Sequence, residues 1–406
     1  MTTCPSCHVA VQDTEQFCEA CGAELSPAVP AGAQASAGQP AGQSSEQPTE
    51  QPTETPALAD DLAGTEATCR SCGGEVAADG YCGTCGARAT KRRDHFSEQP
   101  ATWVAAVCDR GLRHSRNEDA VAVAAGAEPG SSAVLVVCDG VSSSTDSDLA
   151  SLAAARAARE VLTSSRPRGM GAGLSLIAAV TARIEAAADA ASDAVIEVSR
   201  GAGAVAAADL RTGTAEAGAG DATGDTTASD PTAGDPTAGG RRPALNPASC
   251  TFVAAVLEQD LLVVGSVGDS RAYWLPDVGA AVILTLDDSF AQVQMAAGVP
   301  RAEAESGPQS HAIMRWLGAD APDHKPTTAT MTLAAPGWLL LCSDGLWNYC
   351  SEAQDLADLV ARVSLPGGTS PAAAEPLTLA AALVDWAKTQ GGQDNISVAL
   401  ARIQPG

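Results

Sequence analysis

Two apolar runs, "VLVVCDG" at residues 134–140 and "WLLLCSDG" at 338–345, each end in an aspartate followed by a glycine. Short apolar runs without alternation read as strands buried on both faces. A carboxylate on the end of such a strand is costly unless water or a counter-charge neutralises it. More acids stand beside apolar stretches: Glu118 and Asp119 in "RNEDA", Asp269 in "VGDSR" and Asp394 in "GGQDN". Taken singly, an Asp-Gly is a turn and "GGQDN" a loop with an Asx turn. Converging at one sheet edge, these acids would repel one another unless a hard cation lay between them. Oxygen ligands in a chain with only 5 histidines select magnesium or manganese over zinc.

The surrounding pattern supplies the sheets. Strand-like runs from residue 101 onward include "TWVAAVCD", "AVAVAA", "TATMTL", "ISVALARI" and the meander "TFVAAVLEQDLLVVGSVGDSRAYWL". Helical runs include the consecutive alanine-rich pair "DLASLAAARAAREVL" and "LSLIAAVTARIEAAADAASDAVIEV", then "FAQVQMAAG", "AQDLADLVARV" and residues 378–390. Strands cluster instead of alternating with helices, so the expected class is α+β with mostly antiparallel sheets.

Eight of the 13 cysteines form four C-x-x-C pairs: Cys4/Cys7, Cys18/Cys21, Cys69/Cys72 and Cys82/Cys85. Two such knuckles close a tetrahedral Cys4 zinc shell, and paired pairs argue against redox dithiols, which stand singly. The predicted organisation is a zinc ribbon at 1–26, a Pro/Gln/Ser-rich linker at 27–66 and a second ribbon at 67–90. A linker at 91–100 containing "KRR" precedes one large domain at 101–406, which is interrupted by a disordered Gly/Asp/Thr/Pro-rich insertion at 201–247. Closed ribbons leave no open coordination position, so their expected role is structural or adhesive, in protein–protein contacts.

The net charge of −25 argues against nonspecific nucleic-acid or anionic-membrane partners. No apolar run is long enough to span a membrane and the N-terminus lacks a signal-peptide pattern, so the expectation is a soluble, cytoplasmic chain without disulfides.

In order, "DRGLRHSRNED", "VVCDGVSSS", "SCTFVAAV", "VGDSRAYWL", "LTLDDSFAQ", "HAIMRWLG", "LLLCSDGLW" and "GGQDNISVAL" occupy 109–400. This series resembles the metal-dependent serine/threonine protein phosphatases of type 2C (PPM-type) in their bacterial form. The resemblance implies a β-sandwich flanked by helix pairs, with two manganese or magnesium ions at the sheet edge. Position by position, it makes Asp139 a bridging metal ligand, Gly140 a carbonyl ligand, and Asp344 and Asp394 the remaining direct ligands. Glu118 and Asp119 match the nearby acidic pair, while "GDSR" reads as a structural Asp269–Arg271 pair. The ions would acidify water for direct attack on phosphorus, with phosphorylated proteins, a Ser/Thr kinase or its substrates, as partners. The family's phosphate-gripping arginine falls on His114. If the segment is extended, Arg116 points to the same side as His114 and Arg113 away, so Arg116 is the expected grip with His114 assisting. Ser142 to Ser144 are expected to contact water or substrate. The alternative is a catalytically weak, phosphatase-like module that scaffolds or regulates a kinase pathway.

Overall fold

The computed structural model describes residues 2–3, 10–11, 62, 64–69, 71–164, 174–213, 246–307, 309–364 and 374–405. Residues 1–56 and 57–406 are separate units. In the first, β1 (Thr2–Thr3) pairs antiparallel with β2 (Ala10–Val11). Cys4, Cys7, Cys18 and Cys21 lie outside the described residues, as does most of the insertion.

The second unit is a two-sheet sandwich. Its strands are β3 (His95–Ala101), β4 (Val104–Asp109), β5 (Ala120–Ala125), β6 (Ser132–Cys138), β7 (Ser249–Cys250), β8 (Phe252–Glu258), β9 (Leu261–Val267), β10 (Arg271–Pro276), β11 (Val282–Ile283), β12 (Leu317–Gly318), β13 (Thr327–Thr332), β14 (Gly337–Cys342) and β15 (Ile396–Ile403). One sheet runs β11-β10-β14-β15-β4-β3 and the other β13-β9-β8-β6-β5, with β7 and β12 paired separately. Every pairing is antiparallel.

The long helices are α1 (Ser147–Thr163), α2 (Leu174–Gly213), α6 (Ala353–Val363) and α7 (Pro376–Gln390). Short helices α3 (Phe290–Ala296), α4 (Arg301–Ser306) and α5 (Asp344–Trp347) lie between α2 and α6 in the chain.

Side-chain alternation explains the apolar runs. On β6, Ala133, Leu135 and Val137 face the other sheet, whereas Val134, Val136 and Cys138 face α1 and α2. On β14, Leu339 and Leu341 enter the inter-sheet core, and Trp338, Leu340 and Cys342 pack toward α6 and α7. With helices on both outer faces, neither side of a central strand needs polar residues. Each leucine so buried contributes about 1.5–3 kcal/mol. Alanines at 150, 154, 155 and 158 on α1 and 187, 188 and 191 on α2 keep that helix pair close to each other and to the sheet.

The structure redraws three boundaries. Residues 91–100, expected as linker, form a 3-10 turn (Arg92–Asp94) and the edge strand β3, which pairs with β4. "KRR" is not solvated throughout, because Arg93 is only 8% exposed. The expected insertion starts late: α2 continues to Gly213, and the described chain resumes at Asn246. The meander also divides. β8 and β9 form a hairpin in one sheet, but β10 belongs to the other, the chain changing sheets at Gly268, which has φ +99°.

Candidate metal centre

Four strand ends deliver carboxylates to one end of the sandwich. Asp119 precedes β5 and Asp139 follows β6 in one sheet; Asp344 follows β14 and Asp394 precedes β15 in the other. Asp119 is buried, and Asp139, Asp344 and Asp394 are half-buried. Burial and mutual repulsion push the Asp139 and Asp344 carboxyls well above the usual range. Burial, with Asp394 nearby, pushes Asp119 up to about 7. Asp269, also buried, is pushed up to about 7 by desolvation and by Asp287, and its charge is felt at Asp139 and Asp344.

Two oxygens in this group, Asp119 Oδ1 and Asp344 Oδ1, are buried without a hydrogen-bond partner. Buried polar atoms are nearly always satisfied, so these positions call for a partner that is not protein. A divalent cation meets both the repulsion and the orphaned acceptors, and an all-oxygen donor set suits magnesium or manganese. Among the described residues, only the cysteine cluster brings three or more ligand atoms within 4.8 Å of one another. The carboxylates are spread more widely than that.

Backbone and hydroxyl contacts fix each acid. Asp139 N–H donates to Thr251 Oγ1 (3.0 Å), and Thr251 N–H donates to the Asp139 carbonyl (2.7 Å). Ser343 Oγ donates to Asp119 Oδ2 at 2.7 Å and accepts from Ser397 N–H at 3.0 Å. Asn395, 2% exposed, is the central tie. Its Oδ1 accepts from Glu118 N–H (2.7 Å), and its Nδ2 donates to the carbonyls of Arg110 (2.8 Å) and Arg116 (3.1 Å). Loop 110–118 is thereby held on Asp394, so closely that a Cβ at Gly111 would sit 2.0 Å from the Asp394 carbonyl oxygen. At Gly140 a Cβ would meet the Glu118 and Ser147 carbonyls at 2.6 and 2.7 Å, so only glycine fits beside Asp139. Ser343 and Asn395 carry no signal of their own in the sequence, although they lie within "LLLCSDGLW" and "GGQDNISVAL".

Several expected roles change. Loop 110–118 is a series of turns, not an extended segment, so side-chain alternation does not apply. Arg116 is turned onto Glu118, donating from Nε (2.9 Å) and Nη2 (2.7 Å), and onto Ser147 (3.0 Å). His114 instead reaches the centre, with Nε2 3.2 Å from Asp394 Oδ1. Arg113 is exposed and makes no hydrogen bond or ion pair among the described residues. Glu118 faces Arg116, Ser147 and Ser142, whose hydrogen bonds outweigh its desolvation and hold its carboxyl below the usual value. Ser142 Oγ donates to Glu118 Oε2 (2.7 Å) and Ser144 Oγ to the Val141 carbonyl (2.7 Å), so these hydroxyls serve the protein. The expected Asp269–Arg271 pair is absent among the described residues. Arg271 pairs with Asp287 (2.6 Å) and Glu305 (2.9 Å), and its guanidinium lies 3.6 Å from the Trp347 ring centroid. Asp269 is left facing the carboxylate group.

Asp344 and Asp394 open onto a cleft of about 460 Å³ that Glu305, His311, Trp347 and Tyr349 also line. In the second cysteine cluster, Cys69 Sγ and Cys85 Sγ are 3.7 Å apart and Cys72 Sγ and Cys82 Sγ 3.5 Å. A tetrahedron with Zn–S bonds of about 2.3 Å has edges of roughly 3.8 Å, so a zinc ion fits. No described helix is long and apolar enough to cross a membrane.

A protein phosphatase 2C family model matches residues 110–386, and a zinc-ribbon domain model matches residues 3–25. A serine/threonine phosphatase from Listeria innocua is 31% identical over 157 residues, 38% of this chain and 57% of that protein. The serine/threonine protein phosphatase PstP of Mycobacterium tuberculosis is 33% identical over 162 residues, 40% of this chain and 29% of its own. The chain thus spans little more than half of the Listeria relative and less of PstP. The S. agalactiae serine/threonine phosphatase structure superposes with a TM-score of 0.50 at 21% identity, covering 76% of this chain and all (100%) of that one. A bacterial serine phosphatase gives 0.50 at 18% identity, covering 77% and 99%. At these identities the two structures speak for the fold, a helix-flanked β-sandwich.

Proposed function

Because the chain belongs to the protein phosphatase 2C family, we propose that it hydrolyses phosphoserine and phosphothreonine in proteins with the help of two manganese or magnesium ions. The observation that carries this reading is the carboxylate group contributed by both sheets, with Asp119 Oδ1 and Asp344 Oδ1 buried and unpartnered. Asp139, Asp344, Asp394 and Asp119 would hold the ions, with the Gly140 carbonyl beside them. When bound, the ions supply an acidified water and neutralise the phosphate's charge. The protein's own residues do the rest. Asn395 fixes loop 110–118 against Asp394, and Ser343 and Thr251 fix Asp119 and Asp139. His114, 3.2 Å from Asp394, would donate to a phosphate oxygen, and the cleft beside Asp344 and Asp394 would admit the phosphorylated side chain. Cys138 and Cys342 are fully buried and serve as core, not as nucleophiles.

One observation favours the weaker, scaffolding reading: Arg116 is committed to Glu118 and Ser147, and the exposed Arg113 has no partner among the described residues, which leaves an imidazole where the resemblance expects the phosphate-gripping arginine. Manganese-dependent release of phosphate from phosphoserine peptides by the full chain, abolished in Asp139→Asn, is the expected result. Manganese binding without turnover of any phosphopeptide would establish the scaffold instead. Phosphorylated proteins of a Ser/Thr kinase pathway are the proposed partners, with the N-terminal ribbon a protein-contact module.

A further inference from the structure

Within the second unit, the cysteine cluster is joined to the sandwich by more than a tether. Thr65 and Lys91 form a β-bridge across its base, Glu66 N–H donates to the Thr90 carbonyl (2.9 Å), and Arg92 N–H donates to the Gly64 carbonyl (3.1 Å). Leu62 packs against the inter-sheet core. The chain then passes directly into the 3-10 turn, where Asp94 N–H donates to the Lys91 carbonyl (2.9 Å) and Lys91 N–H to Asp94 Oδ2 (3.3 Å).

That turn is laced into the loop carrying the acids. Arg110 N–H donates to the Asp94 carbonyl (2.8 Å), and Asn117 Nδ2 donates to the Arg93 carbonyl (2.9 Å). Arg93 itself points inward. Its Nη2 donates to the carbonyls of Asp119 (3.1 Å) and Asp148 and to Ser151 Oγ (3.1 Å), while Ser151 Oγ donates to the Glu118 carbonyl. Arg93 has no ion-pair partner among the described residues, and its Nε and Nη1 are buried and unpaired. Its hydrogen bonds go to neutral oxygens alone; the Asp148 and Asp119 carboxylates attract its charge from nearby, but burial outweighs them and lowers its pKa, so the guanidinium is expensive to bury. It lies directly behind Asp119, on that residue's carbonyl.

We infer that Arg93 is a positioning residue for the carboxylate centre, and that the Cys69/Cys72/Cys82/Cys85 ribbon anchors it, so that zinc in the ribbon sets the centre's affinity for manganese. This inference rests on the proposed reading of the carboxylates as a metal site. It narrows the expected structural-or-adhesive role of the second ribbon to a structural one that reaches the carboxylate centre.

The test uses the full, zinc-loaded chain and reads manganese binding directly by titration calorimetry or electron paramagnetic resonance, alongside phosphopeptide hydrolysis. Partners that orient metal ligands change affinity about 10–100-fold when lost. Arg93→Met is therefore expected to weaken manganese binding at least about tenfold, with little change in the rate at saturating manganese. Arg93→Lys, which restores three donors and the charge, should recover most of that loss. The double variant Cys72→Ser/Cys85→Ser should weaken binding to a similar degree, and adding Arg93→Met to it should cost little more, since both act through one linkage. Manganese affinity within about twofold of the parent in the cysteine variant, or an Arg93→Lys no better than Arg93→Met, would overturn the inference. If Arg93→Met does not fold, the cysteine variant decides alone. A parent chain that binds manganese but hydrolyses no phosphopeptide would count against the proposed function and leave this linkage readable from the binding curves.

Discussion

His114 Nε2 lies 3.2 Å from Asp394 Oδ1, whereas Arg116, two residues on, closes a forked contact on Glu118 at 2.7–2.9 Å. The two side chains therefore fail differently when removed. His114→Ala should raise KM for a phosphopeptide about tenfold, the loss of one charge-assisted contact. Arg116→Ala should instead shift the manganese dependence, because it frees Glu118 from its hydrogen-bonded position. His114→Arg, restoring a forked donor, is expected to lower KM. Steady-state kinetics at several manganese concentrations separate the three.

Without a divalent ion, the centre destabilises the fold at neutral pH. Asp119 and Asp269 titrate near 7 when folded, and Asp139 and Asp344 are pushed well above the ordinary carboxyl range, against about 3.9 unfolded. Folded values above unfolded ones give stability that is complete below the unfolded pKa and disappears as pH rises through the folded one. The melting temperature of zinc-loaded, manganese-free protein should therefore rise between pH 8 and pH 6, and manganese at pH 8 should raise it again. Asp139→Asn should melt higher than the parent without manganese, by about 2 °C or more, and gain little when manganese is added. Scanning calorimetry in the two buffers checks both signs.

Asn395 spans the gap between loop 110–118 and β15 with three hydrogen bonds. Removing a buried partner leaves Glu118 N–H and two carbonyls unsatisfied, at about 1–3 kcal/mol each. Asn395→Ala should lower the denaturant midpoint and weaken manganese binding together. Asn395→Asp, which sets a carboxylate against the Arg110 and Arg116 carbonyls and adds a charge beside Asp394, should lose at least as much at neutral pH as alanine does.

Arg271, 1% exposed, joins β10 to α4 through Glu305, to Asp287 and to Ser351 Oγ (2.8 Å). Taking away one side of a buried ion pair costs about 3–5 kcal/mol. Arg271→Met should lose that much by urea titration and loosen the wall of the cleft that Glu305 forms. A rise in KM without an equal fall in the manganese-saturated rate is the expected kinetic signature.

The sequence showed the sheets and the acids because both follow local rules. Strands buried on two faces are apolar throughout, and an aspartate breaking such a run at its end stands out. The long helices α1, α6, α7 and the first part of α2 lie on the helical runs read from the sequence, for the same reason. What escaped depends on partners distant in the chain. β3 has only Phe96 buried in the alternation of "HFSEQPA" and becomes a strand by pairing with β4. Arg93 reads as one of three solvated cations, and nothing nearby in sequence announces the carbonyls of Asp119 and Asp148. The alternation argument that favoured Arg116 over His114 does not apply because loop 110–118 turns, a path held by Gly111 and by Asn395, which is distant in the chain.

Asp119 and Asp139 belong to one sheet, Asp344 and Asp394 to the other, all at the same end of the sandwich. Ions bound among them would act as a clasp across the seam between the sheets. Sliding or prying the sheets apart at that end would then require stripping the ions. In hydrogen exchange the clasp would appear as slowed opening of β5, β6, β14 and β15 at their acid-bearing ends when manganese is added, while their far ends, around Ala125, Ser132, Gly337 and Ile403, open as before.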